Sequence, residues 1–235
     1  MHLLNPLYLA VFIVQATNAC NPTRRDIEGS DTFVIGNDGP APAATLGFAI
    51  NHIGLVTTRL DEMKTFYREV LGMRLLFDAH ITPEYTVTYL GYSQGGRNGT
   101  GFQSGAELAA AKNNLWGLLE LQQFNVSDDR LIASTERTNT FGHVGLVVPD
   151  TLKAEEWFRS KDVNILKSVT EPLKDYTGPV PNAFGLGEFA GLHLAAKKAL
   201  IDAQGLIGLD RFLMIADPDG NLIEIQQQDA QRFLK

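Results

Sequence analysis

The chain has 235 residues, 44% of them hydrophobic and 20% charged, a balance that excludes wholesale disorder and allows one large domain or two small ones. Its net charge is −7 and no basic run occurs, which argues against a nucleic-acid partner. Cys20 is the single cysteine, so a disulfide framework within the chain and a cysteine-based zinc site are both excluded. Any site must be built from histidines, carboxylates, hydroxyls and backbone.

Residues 7–14 form an apolar run too short to span a bilayer, which needs about 20 residues. The small and polar residues 15–19 follow, and the pattern predicts a signal peptide over 1–19. Residues 1–6 carry no Lys or Arg, so a buried N-terminal helix is the alternative. Asn98 and Asn125 begin glycosylation sequons. The expected destination is therefore secretion or a secretory lumen with no membrane in the mature form, or the cytoplasm if 1–19 is not a signal. Residues 20–47, poor in apolar periodicity and rich in Gly, Pro, Asp and Thr, read as a flexible leader.

Beyond residue 48 the chain repeats itself. His52-Ile53-Gly54-Leu55-Val56 is echoed by His143-Val144-Gly145-Leu146-Val147, an offset of 143 − 52 = 91. Leu119-Glu120-Leu121-Gln122-Gln123 is echoed by Ile223-Glu224-Ile225-Gln226-Gln227, offset by 224 − 120 = 104. Two modules, 48–140 and 141–235, thus share a beginning and an end, and the second carries an insertion over 170–210.

Each module reads as βαβββ. Strands are predicted over 48–56, 74–79, 86–92 and 115–124, then over 141–148, 164–169, 211–216 and 222–227. The first helix has a capping box at Thr58 and Asp61, apolar Met63, Phe66, Tyr67, Val70 and Leu71 at helical spacing, and a stop at Gly72. The second begins at Pro149-Asp150 and buries Leu152, Trp157 and Phe158. Additional helices are expected over 104–112 and 194–204, and Trp116 and Trp157 read as core. The fold class is α+β, with paired βαβββ modules.

Strand parity carries the functional reading. Residues two apart share a face, so His52 sits with Ile50, Gly54 and Val56, opposite Ile53 and Leu55. Glu120 and Glu224 each lie opposite an apolar pair, where a carboxylate is costly unless paired or bound to a cation. A lone histidine at a strand start is usually structural and a lone strand glutamate usually faces solvent. His52 with Glu120, and His143 with Glu224, nevertheless occupy repeat-equivalent places. Two histidines and two carboxylates converging from four strands make a site for one divalent metal ion with open positions. His80 and His193 have no such equivalence and read as solvated.

Asn51-His52-Ile53-Gly54-Leu55, Phe66-Tyr67-Arg68-Glu69-Val70-Leu71-Gly72-Met73, Pro83-Glu84-Tyr85 through Tyr92, Phe141-Gly142-His143-Val144-Gly145 and Asp217-Pro218-Asp219-Gly220-Asn221-Leu222-Ile223-Glu224 together resemble the glyoxalase I family of the vicinal-oxygen-chelate superfamily. The resemblance implies that His52, Glu120, His143 and Glu224 are the metal ligands. It implies nickel, cobalt or zinc, with iron less expected, and His rather than Gln at the first position resembles the nickel- or cobalt-preferring branch. It further implies a hemithioacetal of a 2-oxoaldehyde and glutathione as substrate, Glu224 and Glu120 as catalytic carboxylates, an enediolate intermediate, and a cupped eight-stranded mixed sheet around a metal site, formed within one chain or, as expected here, across a homodimer whose ligands come from both subunits.

The chain departs from the family where glutathione would be gripped. An expected Arg is Val56, an expected Asn is Phe124, a second expected Arg is Asn139, and an aromatic position is Leu222. These four are the candidate substrate-binding positions; Val56, Phe124 and Leu222 suggest a more apolar substrate, with Lys167, Lys174 or Arg211 as replacement cations. The alternatives are a dioxygenase or epimerase of the same superfamily and a protein that sequesters a small molecule. Extradiol dioxygenases use two His and one carboxylate on iron, so the extra Glu120 argues against them. Sequestering relatives usually lack the metal ligands.

Overall fold

The computed structural model describes residues 38–228 apart from 97, 98, 128 and 207. The signal-peptide reading of 1–19 and the leader up to 37 lie outside the described residues; 38–47 is exposed and holds one short 3₁₀ turn, Ala43–Thr45. Eight strands form two four-stranded sheets. The first contains β1 (His52–Val56), β2 (Arg74–His80), β3 (Tyr85–Gly91) and β4 (Leu118–Phe124) in the order β1-β4-β3-β2. The second contains β5 (His143–Val148), β6 (Ile165–Lys167), β7 (Leu213–Ala216) and β8 (Leu222–Gln227) in the order β5-β8-β7-β6. In each, the first strand runs parallel to the last and the remaining pairs are antiparallel, which is βαβββ twice.

Helix α1 (Leu60–Thr65) continues through Phe66–Val70 in wider i→i+5 turns. Gly72 ends it in the left-handed region at φ +79°, where a Cβ would be strained. The expected Thr58/Asp61 capping box does not form. Arg59 occupies the N-cap, and its own N–H donates to the Thr57 hydroxyl instead. Helix α3 (Thr151–Ser160) does start as expected, with the Asp150 carboxylate accepting from the N–H groups of Leu152 and Lys153.

The apolar sides of both sheets meet in one core. Leu55, Leu119 and Leu121 come from the first sheet, and Leu213, Ile215, Ile223 and Ile225 from the second. Met63, Phe66 and Tyr67 of the first helix and Phe158 of α3 lie in the same core. Two directed bonds tie the modules across it. The buried Tyr67 hydroxyl donates to Asp217 at 3.0 Å, and the Trp157 indole N–H donates to the Val70 carbonyl at 2.8 Å. Leu152 and Trp157 do not belong to the buried face of α3, being 54% and 45% exposed, and Trp116 is 64% exposed rather than core. Trp157 contributes through its N–H at the margin of the helix, which apolar spacing does not encode.

The two segments outside the βαβββ unit cover the opposite sheet faces. Helix α2 (Gly105–Ala110), opened by a Ser104/Glu107 capping box, places Leu108 with Leu76, Tyr89, Leu115 and Leu118. In the insertion, α4 (Pro179–Ala183) puts Val180 and Ala183 over Met214 and Leu222, and α5 (Leu194–Asp202) follows. The Lys167 ammonium holds the end of the insertion down by donating to the carbonyls of Ser168, Asp210 and Phe212. Among the described residues no helix is long and apolar enough to cross a membrane.

Replacing Tyr67 by Phe deletes the donor to a buried carboxylate while keeping the ring, so Tyr67→Phe should lower the unfolding free energy by roughly 1–3 kcal/mol in urea titrations. Burial pushes the Lys167 ammonium down to about 8, against the pull of nearby Asp210, Glu155 and Glu171. The unfolded chain keeps that proton up to its ordinary 10.5, so stability rises with pH between 8 and 10.5 and the gain is lost as pH falls through 8. Unfolding measured across that window should show this rise in the wild type, and Lys167→Met should remove it.

Candidate metal centre

Strand parity places the four predicted ligands on the sheet faces turned away from the shared core. On the first sheet, β1 pairs with β4 so that Gly54 lies beside Glu120. A Cβ at Gly54 would sit 3.7 Å from the Glu120 Oε2. His52 Nε2 lies 3.1 Å from that same oxygen. On the second sheet His143 Nε2 lies 3.8 Å from Glu224 Oε2. The chain thus builds two His–Glu pairs. It does not unite them: among the described residues no three of His, Cys, Asp and Glu are gathered so as to hold a metal ion.

The first pair has a built surrounding. The Asn51 amide N–H₂ donates to the carbonyls of Lys112 and Leu115, at 2.9 and 2.7 Å. With both of its hydrogens used, its Oδ1 is the atom left to accept from His52 Nδ1, 3.0 Å away. That bond puts a ring proton on Nδ1 and leaves Nε2 facing Glu120, the nitrogen through which the ring would bind a metal. Two donors each about 2.1 Å from one ion and roughly 90–110° apart are about 3.0–3.4 Å from each other, so the 3.1 Å spacing suits a shared divalent cation.

Sequence reasoning missed Tyr89. In β3 it stands directly opposite Glu120 in β4, and its hydroxyl lies 3.4 Å from His52 Nε2. Burial, then the nearby Glu120 charge, raise its pKa. Its register opposite a mid-strand glutamate was the available signal, hidden because the pairing of β3 with β4 is fixed only by the fold.

The second pair is enclosed differently. Glu224 is buried, and the Gln226 amide donates to its Oε1 at 2.5 Å. Phe184, beyond the end of α4, packs its ring on His143 with centroids 5.0 Å apart. The insertion therefore closes over this half.

The substrate positions separate in the same way. Val56, 57% exposed, lies on the His52 face, and Phe124 lies at the end of β4 with its ring edge against Tyr85. Asn139 is exposed and braces its own loop, accepting from Phe141 N–H and donating to the Arg137 carbonyl. Leu222 does not line an open pocket: it is fully buried beneath α4 with Met214 and Phe212. Lys167 is likewise unavailable as an anion grip because its ammonium is spent on three carbonyls. Lys174 and Arg211 are exposed. His80 bonds the Thr86 hydroxyl, and His193 is exposed at the start of α5.

The family model of the Glyoxalase/Bleomycin resistance protein/Dioxygenase superfamily matches residues 49–178. The chain belongs to that superfamily. Its fold is similar to glyoxalase I of Leishmania major, described as trypanothione-dependent, at 19% identity over 77% of this chain and 88% of that one, with a TM-score of 0.43. It is similar to glyoxalase I of Zea mays at 20% identity over 75% of this chain, with a TM-score of 0.43, and it spans 43% of the maize chain. A glyoxalase/dioxygenase of Nostoc punctiforme matches at 16% identity over 82% and 98% of the two chains, with a TM-score of 0.43. No curated protein sequence matches this chain.

Because Asn51 fixes the His52 tautomer, Asn51→Ala should weaken cobalt(II) binding about 10–100-fold, the usual cost of losing a partner that orients a ligand. Competition against a chromophoric chelator reads this directly.

Proposed function

We propose that this superfamily member is a divalent-metal-dependent lyase or isomerase of glyoxalase I type, acting as a homodimer in which the His52–Glu120 face of one copy meets the His143–Glu224 face of another. The observation that carries the reading is the pair of repeat-equivalent His–Glu couples, each on an outward sheet face and each too few in ligands to hold an ion alone. Exposed apolar residues beside the first couple, Phe48, Ile50, Val56 and Phe124, support burial of that face in an assembly.

The substrate is the hemithioacetal of a 2-oxoaldehyde and glutathione, or a related molecule with a more apolar tail. Val56 and Phe124 give an apolar wall where charge-assisted contacts to a tripeptide would otherwise stand. Nickel, cobalt and zinc all suit two imidazoles and two carboxylates, and the ligand set alone does not choose among them. A bound divalent ion supplies Lewis-acid stabilisation of the charge that spreads over both substrate oxygens once a proton has left. Glu224, buried and steadied by Gln226, takes the proton from the carbon beside the carbonyl, and a carboxylate returns it one carbon along. His52 and His143 orient the two carboxylates, and Phe184 shields the second from water. The apolar run at 7–14 and the sequon at the exposed Asn125 support action in a secretory lumen.

The mature chain loaded separately with nickel, cobalt or zinc should form thioester from methylglyoxal and glutathione, and Glu224→Gln should lower kcat by about 10²–10⁴. One bound metal without turnover would sink the glutathione substrate. Shared sites make a second expectation. Mixing inactive His52→Ala and Glu224→Gln chains should restore activity, because a mixed dimer gathers both changes in one site and leaves the other intact. Sites contained within one chain would give no restoration.

A further inference from the structure

Cross-strand partners arrange the outward face of the first sheet in rows. His52 stands beside Leu118 in the first row. Gly54, Glu120 and Tyr89 share the second, Val56 and Gln122 the third, and Phe124 and Tyr85 the fourth. The His52–Glu120 couple thus occupies one end of a track along the strands. The other end is apolar: Val56 and Phe124 are 57% and 55% exposed, and the Phe124 ring meets Tyr85 edge-on. Four residues along β4, roughly 13 Å, separate Glu120 from Phe124. Gly54 brings no side chain to stand between the two ends.

A cation stands at the couple's end. Lys112 opens a 3₁₀ turn, Lys112–Asn114, between α2 and β4. Its carbonyl accepts from the Asn51 amide, which ties the turn to the residue before His52. Its ammonium lies 4.2 Å from the centroid of the Tyr89 ring, and the same ring meets the His52 ring edge-on at 5.3 Å. The residue is half-buried, and among the described residues no carboxylate pairs with its ammonium. Lys64, Arg130, Arg159 and Lys198, by contrast, each hold a carboxylate oxygen within 2.8 Å. An ammonium that has only an aromatic face to rest on keeps its three donors for an anion.

We propose that Lys112 is the anion grip of this face, and that the molecule bound there has one anionic head, held by the ammonium, and an apolar tail running past Val56 to Phe124. The proposal rests on the reading of the first couple as part of the substrate site and narrows its substrate class. One lysine matches one negative charge, whereas the two carboxylates of glutathione would leave one without a partner here. It also gives the segment after α2, outside the repeated βαβββ unit, a part in specificity.

Calorimetric titration of the chelator-treated chain with decanoate and with decanol reads the head and the tail separately, with no metal or turnover involved. Decanoate should bind the wild type about tenfold more tightly than decanol does. Lys112→Met keeps an unbranched side chain and the backbone carbonyl that Asn51 uses, and it should bring decanoate down to the decanol level. Lys112→Arg should retain the preference, and Lys174→Met, which removes an exposed cation elsewhere, should leave it unchanged. Equal binding of the two probes by the wild type overturns the proposal, as does an undiminished preference in Lys112→Met or an equal loss in Lys174→Met. Absence of turnover with every metal would sink the lyase reading and leave the decanoate result standing. Thioester formation by a wild type that binds decanoate no better than decanol would overturn the anion grip alone.

Discussion

Burial of both sheets' apolar faces in one core is the constraint on which the rest of the molecule depends. Leu55, Leu119 and Leu121 from one module and Leu213, Ile223 and Ile225 from the other are drawn out of water together, with Met63, Tyr67 and Phe158 between them. Side chains alternate along a strand, so once these residues face inward His52, Glu120, His143 and Glu224 face outward. A one-residue slip in β4 would put the Glu120 carboxylate into the core, at a cost no pairing there repays. The core thus fixes both the fold and the exposure of the couples.

The same constraint explains why a single chain holds two incomplete sites. Two sheets that share a core through one face cannot bring their other faces together. The distance from His52 to Glu120 is short because β1 and β4 are hydrogen-bonded neighbours, and the same holds for His143 and Glu224 on β5 and β8. The cross-subunit site proposed above is compatible with this geometry.

Elaboration around the repeat makes the two halves differ. The segment after β3 supplies Lys112 and braces Asn51 and Tyr89, whereas the insertion before β7 supplies α4 and lays Phe184 on His143. Directed polar bonds order the first half, and in the second apolar cover is added to the bond that Gln226 makes to Glu224.

The repeat offsets, the strand parity and the equivalence of the two His–Glu couples were all legible in the chain, because each depends on local periodicity or on self-similarity that needs no tertiary contact. The stop at Gly72 and the cap at Asp150 were legible for the same reason. What the sequence could not supply was set by packing between distant segments. Leu222 looked like a pocket residue by its place two before Glu224, yet α4 covers it. Lys167 looked like a free cation until the carbonyls at Asp210 and Phe212 came round to it. Trp116 looked like core by residue type, and Leu152 and Trp157 by their place on the helix, but no partner segment reaches them deeply enough. Tyr89 stayed hidden because its cross-strand neighbour Glu120 lies in another strand and the register between β3 and β4 is decided only when the sheet forms. The chain by itself determined which residues share a face; the tertiary structure decided which faces meet, because that depends on what the loops and insertions leave exposed.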